Sequence, residues 1–276
     1  EGLIKNSLAF KLMVVKEGIA KKIQAGDFRL SPSMNLFEII QLLTHGTVDV
    51  WVTIPEGLRR EQVADIIEDS LVKHKASFNK EEFLMKTVDL EGFLFPDSYL
   101  IPKDASVDQV IQILRDNFRK NFASLTLRTN LNKKQIATLA SLVEREAKYK
   151  KDRAIVAGIL LKRLRKGWPL QVDATVQYAK ADQQLSNLSK EKEDNFNYWP
   201  QVSGEDLQKI NSPYNTYKFK GLPPGPICNP GLSSLEAVVN PLNSNYWYYL
   251  SDKSGKIHYA ETLEDHKENI SKFLSF

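Results

Sequence analysis

Apolar positions along this chain mostly recur at helical spacing, with short stretches of alternation between. Over residues 7–24, Leu8, Leu12, Val15 and Ile19 mark one helix, which Gly26 stops. Residues 28–30 are expected to be briefly extended. A second helix starts at Ser33 and reaches Thr44, and Gly46 ends it. Residues 48–54 alternate apolar and polar positions with β-branched side chains, which predicts a strand, and Pro55-Glu56-Gly57 reads as a turn. Helices follow over 60–73 on Val63, Ile66, Ile67 and Leu71, over 78–90 on Phe83, Leu84 and Val88, and over 107–122 on Val110, Ile111, Leu114 and Phe118. Toward the end, 246–250 and the segment through Ile257 and Tyr259 read as two strands around an Asp252–Gly255 turn, and 266–274 is a closing helix. Strands so scattered argue against a doubly wound parallel sheet, so the expected class is α+β.

The most informative helix begins at Asn132, an N-cap residue with Gln135 placed to complete a capping box. Ile136, Leu139, Ala140, Val143 and Ala147 form its buried face, and within that apolar pattern stand Glu144 and Glu146. At about 100° per residue the two carboxylates lie on opposite edges of the face, about 200° apart. A carboxylate at such an edge is partly desolvated while still facing a cleft, which raises its pKa into the range of a general acid. Ordinary pairing one turn on, Glu144 with Lys148 and Glu146 with Lys150, is the competing reading. Asp152 is expected to cap the next helix, 153–166, with Gly167 at its end.

Four further blocks surround this helix. They are Leu90-Glu91-Gly-Phe-Leu-Phe-Pro-Asp97-Ser-Tyr99, Gln171-Val-Asp173-Ala-Thr175-Val-Gln-Tyr178, Ser212-Pro-Tyr214-Asn215-Thr-Tyr217, and Gly221-Leu-Pro-Pro-Gly-Pro-Ile-Cys-Asn-Pro-Gly231. In this order around Ala140–Ala147 they resemble the MltG (YceG-like) endolytic murein transglycosylases, over residues 49–276. The resemblance implies cleavage of peptidoglycan glycan strands between MurNAc and GlcNAc, leaving 1,6-anhydroMurNAc ends. It divides the chain into an N-terminal α/β segment (1–48), a LysM-like subdomain (49–76) and a catalytic domain (77–276). It puts the catalytic residue at Glu144, a choice the helical wheel leaves open against Glu146. Glu146, Gln171, Asp173, Thr175, Tyr178, Tyr214, Asn215, Tyr217 and Glu91 are then expected substrate contacts. The resemblance further implies a single membrane helix ahead of Glu1, a catalytic part outside the cytoplasmic membrane of a bacterium, and wall-synthesis proteins as partners.

One carboxylate suffices for such a lyase: it protonates the bridging oxygen and then accepts the proton of the muramyl C6 hydroxyl. A hydrolase would need a second carboxylate, for which Asp173 or Glu91 are available. A non-catalytic wall-binding or scaffold module is the reading from another class. Other residues have bland explanations of their own. Asp173 could simply start a helix, and Asp97 after Pro96 could simply belong to a turn. The prolines at 223, 224 and 226 stiffen a loop suited to a cleft wall, and the polar 181–206 stretch reads as a surface loop.

Composition narrows the field further. The chain has 276 residues, 42% apolar and 26% charged, with a net charge of +4, ordinary for a globular protein. That charge is small and dispersed, so nucleic acid is not an expected partner. Cys228 is the only cysteine, so no internal disulfide forms, and a structural role is expected for it. The histidines at 45, 74, 258 and 266 have no metal-binding spacing and no phosphate loop is present, so no metal or cofactor is expected. No apolar run approaches the roughly 20 residues a membrane helix needs.

Overall fold

The computed structural model describes residues 7–187 and 196–274, except for 17, 21–22, 24–27, 29, 32–33 and 45–48. The first two helices are α1 (Ser7–Lys16) and α2 (Leu36–Thr44). α1 is shorter than its periodicity suggests and ends before Gly18, whose φ of 64° leaves the helical region. α2 begins after Asn35, whose side chain accepts from the Glu38 N–H while Glu38 accepts from the Asn35 N–H. The expected stops at Gly26 and Gly46, and the helix start at Ser33, lie outside the described residues. Phe28 and Leu30 belong to no regular element.

A first layer forms around β1 (Asp49–Thr53), which pairs antiparallel with β2 (Ser98–Pro102), Val50 opposite Ile101 and Val52 opposite Tyr99. Those four side chains face inward, as the period of two requires. Against them pack α3 (Arg60–Lys73), with Val63, Ile67 and Leu71 buried, and α5 (Val107–Ala123), with Val110, Ile111 and Leu114. α3 coincides with its expected span. The helix expected over 78–90 is instead α4 (Lys80–Lys86) followed by a separate 3₁₀ turn, Val88–Leu90. The Thr87 hydroxyl donates back to the Phe83 carbonyl at 2.7 Å, where α4 ends.

The second and larger core is built by α6 (Lys133–Glu146), α7 (Lys150–Arg165) and α10 (Leu232–Val239) packed on one another. The Asn132/Gln135 capping box of α6 is present, with 3.0 Å bonds in both directions. Cys228 is buried beside it and its thiol donates to the Ser141 carbonyl. α7 starts earlier than expected: Tyr149 flanks it, and Asp152 lies inside the first turn, where it accepts from the Tyr259 hydroxyl at 2.9 Å instead of capping. At the other end Gly167, at φ 67°, closes α7 through Gly167 N–H to Leu164 carbonyl and Trp168 N–H to Arg163 carbonyl bonds.

α8 (Asp173–Leu185) takes up the start of the segment expected to be a surface loop, and α9 (Gly204–Lys209) its end. Between them, Trp199 is pinned to the body by an indole N–H to Gln62 Oε1 bond of 3.3 Å. β3 (Tyr248–Ser251) and β4 (Ile257–Ala260) form the expected hairpin. α11 (Leu263–Phe273) lies against both strands and begins ahead of His266, because Thr262 and Asp265 form a capping box. The molecule is therefore α+β, with two small antiparallel sheets set among helices in the described residues. Among the described residues no helix is long and apolar enough to cross a membrane.

Candidate active site

The last turn of α6 sends its two glutamates to different places, as the wheel requires. Glu144 points toward α7 and α10. One oxygen accepts from Arg153 Nη2 at 2.6 Å and the other from the Gly231 N–H at 3.0 Å, at the start of α10. Arg153 also donates to the Ala147 carbonyl at 3.2 Å and to the Ser233 hydroxyl, and pairs with Glu56 at 3.4 Å. Gly57, at φ 79°, lets the turn after β1 lie against Glu144; a Cβ there would sit 3.5 Å from its Cγ. Burial raises the Glu144 pKa, while Arg153 and the Gly231 N–H oppose the rise. Only 5% of its side chain is exposed and both oxygens are engaged.

Glu146 points the other way, into a cleft of about 520 Å³. The walls come from four parts of the chain: Arg163 of α7, Gln171 and Asp173 at the start of α8, Tyr217, and Tyr248 and Tyr249 of β3, with α11 closing the far side. Burial pushes the Glu146 carboxyl up to about 7; the neighbouring Tyr249 hydroxyl lowers it, Asp173 raises it, and Arg163 and Arg145 lower it. Asp173 accepts from the Tyr217 hydroxyl at 2.5 Å, which fixes both side chains at the mouth of the cleft. Gln171 is held at φ 54°, an uncommon region for a residue with a side chain, by its N–H bond to the Thr216 carbonyl at 3.2 Å. A half-buried acid with a pKa near neutrality, beside donors and aromatic faces, can protonate an ether oxygen of a bound polymer.

Of the residues singled out from sequence, Glu146, Gln171, Asp173 and Tyr217 come together in this cleft. Thr175 and Asn215 do not line it. Both are fully buried. Thr175 bonds Thr216 at 2.9 Å, and Asn215 donates to the Leu207 and Ile210 carbonyls. Tyr178 and Tyr214 pack together at 4.8 Å with their rings tilted, outside this cleft, and Arg59 lies 4.1 Å over the Tyr178 ring. Glu91 is buried too, accepting from the Asn229 side chain at 2.9 Å and the Arg60 N–H at 3.2 Å. The lysine pairing considered for the two glutamates does not form: Arg153 takes Glu144, and Lys150 pairs with Glu236.

Sequence reasoning missed Arg153, Arg163, Tyr249 and His266. Arg153 reads as the first residue of a helix, and Arg163 carries no reading of its own within that helix. Tyr249 belongs to a strand signal, and His266 stands outside the motif blocks. Arginine next to apolar positions inside a helix was the available signal, since a buried guanidinium needs partners. Arg163 spends its donors on the Trp247 carbonyl at 2.9 and 2.7 Å and on the Leu170 carbonyl at 2.6 Å, tying β3 to the start of α8.

Known proteins resemble this chain over nearly its whole length. An endolytic murein transglycosylase of Bacillus subtilis is 33% identical, aligning with 99% of this chain and 79% of its own length. One of Streptococcus pneumoniae is 29% identical over 99% of this chain, which spans 55% of that protein. The crystal structure of a YceG-like protein of Listeria monocytogenes superposes with a TM-score of 0.63 at 30% identity, covering 96% of this chain and 91% of the other. A model of the YceG-like family matches residues 1–272. With a family model over nearly its whole length and relatives of the same kind, this chain belongs to the YceG-like family.

Proposed function

We propose that this protein is a lytic transglycosylase of peptidoglycan, acting outside the cytoplasm on the glycan strands of the cell wall, and that Glu146 is its general acid and base. The relatives named endolytic murein transglycosylase carry the activity. The choice of Glu146 rests on one observation: its carboxyl, raised to about 7, faces the cleft beside Asp173 and Tyr249, whereas both oxygens of Glu144 are already bonded. In this reading Glu146 gives its proton to the glycosidic oxygen as the C1–O bond breaks. The resulting carboxylate then takes the proton of the muramyl C6 hydroxyl, whose oxygen closes onto C1. No water is consumed and the acid is restored. Glu144, the residue the family resemblance alone favours, here serves as the anchor between Arg153 and the start of α10.

Asp173 in the same cleft supports a second reading, hydrolysis by two carboxylates. Digestion of purified peptidoglycan by the wild type, Glu144→Gln and Glu146→Gln, with mass spectrometry of the ends, separates these readings. Anhydromuramyl ends from the wild type and Glu144→Gln, but not from Glu146→Gln, are expected. Reducing ends would favour hydrolysis. A dead Glu144→Gln beside an active Glu146→Gln would return the acid to Glu144. Binding of strands without any new ends would favour a scaffold.

The N-terminal membrane helix, the wall-synthesis partners and glycan holding by the LysM-like stretch are parts of the same proposal and rest on the family resemblance.

A further inference from the structure

The cleft does not end at the acid. Beyond Tyr248 a file of rings continues along its rim. His266 stacks on Tyr248 at 5.2 Å, Tyr248 lies 6.3 Å from Trp168, and Trp168 packs on Trp247 at 4.6 Å. Tyr248 and His266 line the cleft itself, so the file is continuous with it. Trp247 packs against Trp168 and against Lys162, whose ammonium stands 4.5 Å from the ring centroid. Trp168, in contrast, is 40% exposed.

These rings are held firmly. The Trp168 N–H closes the end of α7 on the Arg163 carbonyl at 2.9 Å, directly after the left-handed Gly167. The Arg163 guanidinium grips the Trp247 carbonyl with two bonds, and lies 5.6 Å from the Tyr248 ring. A large, rigid, half-exposed indole beside a polar cleft is an unusual use of the surface. Aromatic faces left open in this way commonly mark binding sites, because they bury much area at little cost in side-chain entropy.

We infer that Trp168, backed by Trp247 and Tyr248, is a stacking subsite for a further sugar of the bound glycan strand, so that the enzyme favours long strands over short ones. The inference rests on the glycan-cleaving reading above. The occupant follows from continuity: a polymer lying against Glu146 and leaving along the β3 side of the cleft meets this ring next, and the apolar face of a pyranose suits an indole.

The test uses glycan strands freed of stem peptides and sorted into tetrasaccharides and long strands. Trp168→Ala and Trp168→Phe are compared with the wild type for cleavage. In the Glu146→Gln background the same Trp168 variants are compared for direct binding by titration calorimetry. Loss of one aromatic contact should raise KM and Kd for long strands about three- to ten-fold. Unchanged kcat, unchanged tetrasaccharide values and recovery in Trp168→Phe are the rest of the expected pattern. Equal weakening for both lengths, or no change for long strands, would overturn the subsite. If the wild type cuts nothing, the lyase reading fails, and the length dependence of binding still decides the subsite.

Discussion

At the scale of single residues, the two glutamates of one helical turn show how partners, more than position, set chemistry. The Glu146 carboxyl, raised from 4.5 to about 7 chiefly by burial, is protonated below that value and loses its proton as pH rises through it. Activity that needs the acid form should therefore fall on the alkaline side of about pH 7. Removing the negative charge of Asp173, which pushes the value up, should move that limb to lower pH. A pH profile of kcat/KM for the wild type and Asp173→Asn reads both effects, and an unmoved limb would remove Glu146 from the role. Stability carries the same sign: a group with a raised folded pKa stabilises fully below its unfolded value, here 4.5, and that contribution is lost toward about 7. Glu146→Gln is therefore expected to be at least as stable as the wild type at pH 8 in urea. Glu144→Gln should lose about 2–4 kcal/mol, because it leaves Arg153 short of a buried charge. The sequence located both carboxylates but could not rank them. The proposed ranking rests on Arg153, Gly231, Asp173 and Tyr249, and three of the four lie far along the chain.

Among the elements, the long amphipathic helices were legible and the short pieces were not. The Asn132 capping box, the span of α3 and the glycine stop of α7 follow from local rules, and the structure has all three. β2 was missed because Pro96 and Pro102 bracket a five-residue strand whose partner lies 45 or more residues earlier. α10, with eight residues, was hidden behind the proline-rich loop. Asp152 misled because an aspartate inside the first helical turn looks like a cap while serving another partner. Packing of α7 also turns on a glycine that no pattern marks. A Cβ on Gly158 would fall 2.0 Å from the Leu242 carbonyl oxygen, in a segment whose Leu242 N–H bonds the Ala154 carbonyl at 2.9 Å. Alanine gains about 1 kcal/mol of helix propensity there, but overpacking against backbone costs about 1–3 kcal/mol or more. The clash wins, so Gly158→Ala should lower the urea midpoint; a raised midpoint would mean that the 242 loop yields freely.

At the scale of the whole molecule, the two larger apolar cores among the described residues meet along a seam. The core of β1 and α3 also takes in β2 and α5, a long-range pairing that nothing within 49–76 displays. Asn229 crosses the seam. Its side chain accepts from the Leu94 N–H at 2.9 Å and donates to Glu91 at 2.9 Å and to the Leu58 carbonyl at 3.1 Å. Its backbone pairs with Leu58 and Gly57. Arg59 is the second tie, fully buried, bonded to Glu61 at 3.1 Å and lying over the Tyr178 ring. The segment that Asn229 fixes leads directly to Gly231, the donor to Glu144, so the seam and the Glu144–Arg153 anchor share a support. Asn229→Ala leaves the Leu94 N–H and one oxygen of the buried Glu91 carboxyl without their partner, each costing about 1–3 kcal/mol, while the Leu58 carbonyl keeps the backbone N–H of residue 229. Part of that is recovered by water, and a loss of about 3 kcal/mol is expected in urea unfolding. If the two cores are one cooperative unit, fluorescence and far-UV circular dichroism will still report a single coincident transition at the lower midpoint. A loss below about 1 kcal/mol would mean that Arg59 and the apolar contacts hold the seam without Asn229.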